Sequence, residues 1–303
     1  MPSIPYVTAD VFTDRRFGGN QLAVFPDARD IPPEQMLDIT REFNFSETTF
    51  VLPPEDPRHT RRVRIFTPER EMPFAGHPTV GTAHVLAHLG EVRLMGPTTR
   101  IVFEEGVGPV PVTIRAEGGH PAFAQLSVAK LPETGPTPPP PVALAEILSL
   151  APADILQNVY APGAVSCGLP FLFVPLVDRH AVARARVRLD AWERLLGDYW
   201  TREIFVFALD PERDGSDIRA RMFAPGLNVT EDPATGSACA ALGGYLGMRS
   251  AQADGTLRWV VEQGFEMGRP SILEVETDKA AGQITGVRVG GSSVVVCEGT
   301  MTI

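Results

Sequence analysis

The sequence predicts an α+β fold built from two similar halves, and three observations predict it. Short β-branched or aromatic runs outnumber the helical stretches, a proline-rich segment divides the chain near its middle, and motifs of the first half reappear in the second. With 303 residues, 44% of them hydrophobic and 21% charged, the chain has material for two domain cores of ordinary composition.

Tyr6 to Phe12 and Gln21 to Phe25 read as strands, joined through Phe17-Gly18-Gly19-Asn20, a stretch of permissive backbone suited to a turn or an active-site loop. Met36, Ile39 and Phe43 recur at helical spacing behind Pro32-Pro33, which predicts a helix over about 33–43 with Asp30 as its cap. Thr48 to Leu52 and Val63 to Phe66 read as strands, and Thr79 to Leu89 as a helix of small residues opened by Gly76-His77-Pro78. Leu131 to Pro141 holds six prolines in eleven residues and no periodicity, which marks it as the linker between the halves. Beyond it, strands are expected at Phe171 to Val177, Glu203 to Leu209 and Ile218 to Phe223, with helices at Leu189 to Leu196 and Gly236 to Leu246.

The halves mirror each other in detail. Arg64-Ile65-Phe66-Thr67-Pro68 matches Arg221-Met222-Phe223-Ala224-Pro225, and Gly81-Thr82-Ala83 matches Gly236-Ser237-Ala238 after a two-residue gap. A duplicated chain usually carries its site between the halves.

Composition removes several function classes. The net charge is −10 with no offsetting basic block, so nucleic acid and anionic membranes are not expected as partners. Cys167, Cys239 and Cys297 are too far apart for a zinc site or a disulfide scaffold, which fits a reducing cytoplasm. No apolar leader opens the chain, and Phe171 to Val177, the longest apolar run, is too short to span a bilayer. Asn228-Val229-Thr230 is read as a chance sequon. No phosphate-binding loop, serine-hydrolase elbow or zincin motif is present, and His84 and His88 lack a third ligand nearby, so no metal is expected. The two lysines, Lys130 and Lys279, lie in contexts unsuited to a pyridoxal Schiff base, so no organic cofactor is expected either.

Three segments can carry chemistry. Glu47 opens the otherwise apolar run Thr48 to Val51, where desolvation would raise its pKa and make it a proton carrier; the alternative is a capping or turn carboxylate. Phe74 to Thr79 and Glu231 to Ala238 each place a titratable group, His77 or Asp232, at the mouth of a helix with small first residues. Backbone N–H groups at such mouths attract anions, and two facing mouths would clamp a substrate carboxylate. Simple helix capping is the competing account of both residues.

Taken together, Asp10-Val11-Phe12-Thr13, Gly19-Asn20-x-Leu22-Ala23-Val24-Phe25, Asn44-x-Ser46-Glu47-Thr48-Thr49-Phe50-Val51, Arg64 to Pro68, Pro73-Phe74-Ala75-Gly76-His77-Pro78-Thr79 and Glu231-Asp232-Pro233-Ala234-Thr235-Gly236-Ser237-Ala238 resemble the PhzF family of phenazine-biosynthesis-like proteins. Gly168-Leu169-Pro170-Phe171 extends the resemblance in the second half. It implies the diaminopimelate-epimerase-like fold: two pseudo-symmetric α/β domains, each a curled sheet around a central helix, with the site in the cleft between them. The domains would be 1–130 plus 290–303 and 142–289, joined by 131–141, and the chain would form a homodimer.

The resemblance also implies isomerisation of trans-2,3-dihydro-3-hydroxyanthranilate or a similar small carboxylic acid, by proton transfer without metal or organic cofactor. The family's catalytic residues fall on Glu47, His77, Asp232 and Ser237, and substrate contacts on Asn20, Ser46, Gly76, Thr235 and Gly236. Gln21 departs from the proline that many members carry there and bears on substrate shape. Related epimerases use two opposed cysteines, which Phe74 to Thr79 and Asp232 to Ala238 lack. Two alternatives remain at this level: an amino-acid epimerase or racemase with Asp232 as second acid, and a binding protein that has kept the cleft without catalysis.

Overall fold

The computed structural model describes residues 3–227 and 229–303; Asn228 of the sequon lies outside them. Contacts between Cα atoms divide the chain into two compact units, Met1–Ala129 with Val289–Ile303, and Lys130–Arg288.

Unit 1 opens with β1 (Ser3–Val11) and β2 (Asn20–Phe25), an antiparallel pair in which Val11 faces Asn20. Helix α1 (Pro33–Phe43) carries the chain to β3 (Glu47–Leu52), which lies parallel to β2. Antiparallel to β3 runs β4 (Arg61–Phe66), followed by the two-residue β5 (Glu71–Met72) and α2 (Gly76–His88). A meander of β6 (Thr98–Glu105), β7 (Gly108–Glu117) and β8 (His120–Ser127) completes the segment.

Every residue of α2 from Gly76 to Ala87 is buried, as expected of a helix wrapped by strands rather than laid on them. Its small side chains follow from that packing: a Cβ at Gly81 would stand 2.6 Å from Leu22 and Val11 side-chain atoms. A second cluster, in which Phe25, Phe50 and Phe66 pack with Met36 and Ile39, seats α1 on the other face of the strands.

Unit 2 begins with β9 (Glu133–Thr134) and α3 (Pro141–Leu148), then β10 (Gly163–Ser166) and β11 (Pro170–Pro175). The proline-rich stretch is tied to this unit: Glu133 and Thr134 pair with Ser166 and Val165, and the Tyr199 hydroxyl donates to the Pro136 carbonyl. Helices α4 (Arg179–Arg184) and α5 (Leu189–Leu196) lead to β12 (Ile204–Ala208), β13 (Ile218–Ala224) and β14 (Val229–Asp232). The buried α6 (Gly236–Arg249) follows, then β15 (Gly255–Gln263), β16 (Ser271–Ala280) and β17 (Gln283–Gly291), whose last residues belong to unit 1. The final strand, β18 (Ser293–Thr302), pairs antiparallel with β1.

The mirror holds in the strand registers. Thr48 pairs with Phe66 as Ile204 pairs with Phe223; Ile65 with Met72 as Met222 with Asp232; and Arg62 with Glu104 as Arg219 with Glu262. These registers correct one match made by counting residues. Gly236 corresponds to Gly76, the first residue of its own helix, and not to Gly81, because the chain between the strand and the helix is three residues longer in unit 2 and includes the turn Pro225–Leu227. Asp30 is also corrected: the cap position of α1 is Pro32, and no side chain caps that helix. The two meanders, β6–β8 and β15–β17, gave no clear signal in the sequence pattern, since Pro109, Pro111 and Pro121 interrupt the first of them.

Candidate active site

In unit 1 the hairpin between β1 and β2 sets the first side chain. Gly19 takes φ +62° and passes so close to Val11 that a Cβ would stand 2.3 Å from its carbonyl oxygen, so only glycine fits there. The next residue, Asn20, is thereby turned inward and almost fully buried. Asp10 pins the loop from the other side by accepting the Phe17 N–H at 2.6 Å.

Asn20 Nδ2 lies 3.2 Å from His77 Nδ1, and the Ser46 hydroxyl donates to Asn20 Oδ1 at 3.5 Å. An amide nitrogen can only donate, so with this orientation Nδ1 accepts and the single hydrogen of a neutral ring sits on Nε2. Nε2 faces Glu47 Oε2 at 3.5 Å, and the Glu47 side chain keeps 17% of its exposure. Burial pushes the His77 pKa down to about 3, partly offset by a backbone hydrogen bond with Gln21, so at neutral pH the imidazole is uncharged and its contact with Glu47 is not an ion pair. Unit 1 thus brings Asn20, Ser46, Glu47, Gly76 and His77 together at the start of β3 and of α2.

Unit 2 gathers the remaining expected residues at the mouth of α6. Asp232 ends β14 and accepts the Thr235 hydroxyl through Oδ2. Gln263, fully buried at the end of β15, donates to the Asp232 carbonyl at 2.8 Å and to Thr235 Oγ1 at 2.9 Å, and accepts the Thr235 N–H at 3.1 Å. Gly236 and the half-buried Ser237 open the helix.

The capping account of His77 and Asp232 does not survive this geometry. His77 is the second residue of α2, Asp232 stands three residues before the α6 cap position Thr235, and no side chain caps either helix. Burial holds the two inner thiols in their protonated form. Burial, and then the Asp232 charge, push Cys239 far above the ordinary thiol range, and burial pushes Cys167 up to about 12. His84 is buried and pushed down to about 4, while His88 is exposed near Glu298; among the described residues no three His, Cys, Asp or Glu side chains converge as metal ligands. Lys279 donates to the Gly247 and Ser250 carbonyls and so closes the C-terminus of α6.

Sequence reasoning missed two residues that support the helix mouths, Gln263 and its counterpart Glu105, whose carboxyl lies 2.7 Å from Thr79 Oγ1 on α2. The signal was present as a repeat, Glu104-Glu105-Gly106 and Glu262-Gln263-Gly264, at the ends of strands that the pattern left unassigned.

The phenazine biosynthesis-like protein family (PhzC-PhzF) matches residues 9–299. An uncharacterized isomerase of Mesorhizobium japonicum is 40% identical over 98% of both chains, and a trans-2,3-dihydro-3-hydroxyanthranilate isomerase of Pseudomonas fluorescens is 35% identical over 98% of this chain and 99% of the relative. The crystal structure of a PhzF-family phenazine biosynthesis protein of Bacillus anthracis superposes over 100% of both chains with a TM-score of 0.88 at 24% identity, which establishes the α+β, diaminopimelate-epimerase-like fold. The chain accordingly belongs to the phenazine biosynthesis-like PhzC-PhzF family and is an isomerase of that family.

Proposed function

We propose that the protein is a cofactor-independent isomerase that moves a proton between carbons of a small carboxylic acid, with Glu47 as general base and then general acid. The observation that carries this reading is the Glu47–His77 pair, a carboxylate largely shielded from water 3.5 Å from an imidazole that burial keeps neutral. A neutral ring beside the carboxyl lets it carry a proton, because the imidazole adds no fixed positive charge. Glu47 would take a proton from substrate carbon, hold it as the carboxylic acid, and return it to a second carbon. No net redox change or leaving group is required.

Asp232 and Ser237 are assigned to orienting the substrate and stabilising the charge that develops when the proton leaves. Asn20, Ser46, Thr235 and the N–H groups near Gly76 and Gly236 are assigned to its polar groups. The first substrate to test is trans-2,3-dihydro-3-hydroxyanthranilate, after the Pseudomonas fluorescens relative. A cytoplasmic homodimer is the expected state, checked by gel filtration with light scattering.

Proton NMR in D₂O with that substrate decides the reading. Deuterium entering the isomerised product with wild type but not with Glu47→Gln supports it. Exchange that survives the substitution removes Glu47 from the role. Exchange at an amino-acid α-carbon with loss of optical rotation would replace the positional isomerase by a racemase.

A further inference from the structure

We propose that Glu105 is a positioning residue that works as a neutral carboxylic acid, giving its hydrogen to Thr79 Oγ1 so that Thr79 can in turn hold the Ala75 carbonyl at the mouth of α2. The inference rests on the reading of Glu47 and His77 above only for its link to turnover; the protonation and the hold on the helix stand apart from it.

Counting hydrogens carries the argument. Thr79 Oγ1 lies 2.7 Å from the Ala75 carbonyl oxygen and 2.7 Å from Glu105 Oε1. A hydroxyl owns one hydrogen and a carbonyl owns none. If Glu105 were ionised, one of these two short contacts would press two acceptors together. If Glu105 is protonated, both are hydrogen bonds in one direction: Glu105 O–H to Thr79 Oγ1, then Thr79 O–H to Ala75 C=O. The other carboxyl oxygen, Oε2, is buried without a hydrogen-bond partner among the described residues, which suits an uncharged oxygen far better than half of a carboxylate.

The duplicated half supports the same assignment independently. Glu104 accepts the Glu55 and Asp56 N–H groups as Glu262 accepts those of Glu212 and Arg213, so Glu105 and Gln263 occupy one position in two copies. Each is followed by a glycine that lies against the proline leading into its helix, Gly106 on Pro73 and Gly264 on Pro233. Gln263 cannot ionise, and it anchors Thr235 at the α6 cap position. Glu105 does the equivalent work for Ala75, the α2 cap position, and needs its proton to do so.

No neighbouring charge alters this. The charged side chains lining the cavity beside Glu105 are committed to one another in the pairs Arg62–Glu55, Arg64–Glu71 and His59–Glu104. On α2 the titratable groups are His77 and His84, both buried and pushed down to about 3 and about 4, and the largely exposed terminal His88. Burial, opposed only by the Thr79 hydrogen bond, pushes the Glu105 carboxyl up to about 8. The proton is therefore held at neutral pH and lost on the alkaline side, where the Thr79 hydroxyl must release either the carboxylate or the Ala75 carbonyl, which then keeps the longer 3.4 Å bond from the Thr79 N–H. His77 lies two residues from Thr79 in the first turn of α2, so a change at the helix mouth is expected to reach its ring.

The test pairs wild type with Glu105→Gln and Thr79→Val. Backbone amide shifts of Ala75 to Thr79 in wild type should titrate with a midpoint of about 8, and infrared spectra at pH 7 should show a protonated-carboxyl stretch; both signals should vanish in Glu105→Gln. Turnover in wild type should fall through kcat above that pH, and Glu105→Gln, which retains the donor, should flatten the alkaline limb while keeping most of the neutral-pH rate. Thr79→Val should lower kcat at all pH values, with KM changed less. An ionised Glu105 at pH 7, or helix-mouth shifts that titrate equally in Glu105→Gln, would overturn the proposal. The spectroscopic arms read out whether or not the tested substrate turns over, so a wrong substrate and a wrong role for Glu105 give different results.

Discussion

The two halves share strand registers and helix positions but differ at the mouths of their central helices. In unit 1 the mouth presents His77, next to a chain of groups that can lose protons: Glu47, and Glu105 through Thr79. In unit 2 the equivalent positions hold Ser237, Glu203 and Gln263, and the charge has moved to Asp232, where unit 1 has Met72. On the proposed role of Glu47, one scaffold carries a proton-handling half and a hydrogen-bonding half. The difference teaches which carboxylates are there for chemistry, because a scaffold requirement should appear in both copies in the same surroundings.

Glu47 and Glu203 make the sharpest form of the comparison, since each stands one residue before the strand position that pairs with the corresponding phenylalanine, Phe66 or Phe223. Glu47 faces an imidazole, whereas Glu203 accepts from the Thr201 hydroxyl and the Arg202 N–H of its own turn. Glu47→Gln should reduce turnover by roughly 10²–10⁴-fold, the usual contribution of a general base, measured as the rate of deuterium incorporation. Glu203→Gln should leave that rate within a factor of about two and lower stability by about 1 kcal/mol, the worth of a local hydrogen bond. Equal losses in both variants would mean that the halves are not divided in this way.

The next effect in size separates the two supports. Gln263 is fully buried and makes three hydrogen bonds, and Gln263→Ala removes all three from the Thr235 N–H, the Thr235 hydroxyl and the Asp232 carbonyl. A loss of about 3 kcal/mol in unfolding free energy is expected, from denaturant midpoints at constant m. A loss under about 1 kcal/mol would show that the α6 mouth is held by something other than Gln263.

Much of this division was legible in the sequence, and the rest was hidden for definable reasons. Helices α1 and α5 were readable to within a few residues because only one face is apolar, and β2 and β13, buried almost throughout, were readable as short runs of strand-forming residues. The meander strands were hidden by prolines and by polar residues on the open face, whereas α2 and α6, expected at 79–89 and 236–246, begin and end within three residues of those bounds although they are buried nearly all round. The motif residues Asn20, Ser46, Glu47 and His77 come together in unit 1, and Asp232, Thr235, Gly236 and Ser237 in unit 2. Glu105 escaped notice because its meaning depends on a hydroxyl 26 residues away, a contact that spacing does not encode.

Three buried groups of unit 1 give stability a pH optimum. His77 and His84 titrate at about 3 and about 4 when folded and near 6.5 when unfolded, so the unfolded chain binds more protons below 6.5 and their stabilisation is lost as pH falls from there. Glu105 runs the other way: its carboxyl is at about 8 folded against 4.5 unfolded, so its stabilisation is present below 4.5 and is lost as pH rises towards 8. Two histidines outweigh one carboxyl below 6.5, and the carboxyl alone acts above it. Stability should therefore peak near pH 6.5 and fall by roughly 2 kcal/mol by pH 8, at about 1.4 kcal/mol per pH unit per proton. Glu105→Gln should abolish the alkaline fall and keep the acid one. A wild-type curve flat from pH 6.5 to 8 would contradict a protonated Glu105.

The smallest effect concerns the hairpins that lead into the second strand of each repeat. Unit 2 turns from β10 to β11 through Cys167, Gly168 and Leu169, with the left-handed position given to Gly168. Unit 1 uses the longer loop 12–19 and puts two aromatic residues in left-handed backbone, Phe12 at φ +65° and Phe17 at φ +70°. Phe12 is fully buried and recovers its strain in packing, but Phe17 is 72% exposed and recovers little. Its conformation is held by the Phe17 N–H bond to the buried Asp10. Phe17→Gly relieves about 1 kcal/mol of backbone strain and returns part of it through the greater freedom of glycine in the unfolded chain, so a gain of about 0.5 kcal/mol is expected. A strained and exposed aromatic ring three residues before Asn20 has no stability reason to be there. If Phe17→Gly also raises KM while kcat holds, the loop contributes binding to the half that handles the proton; if both constants hold, the strain belongs only to the turn that delivers Asn20 to His77.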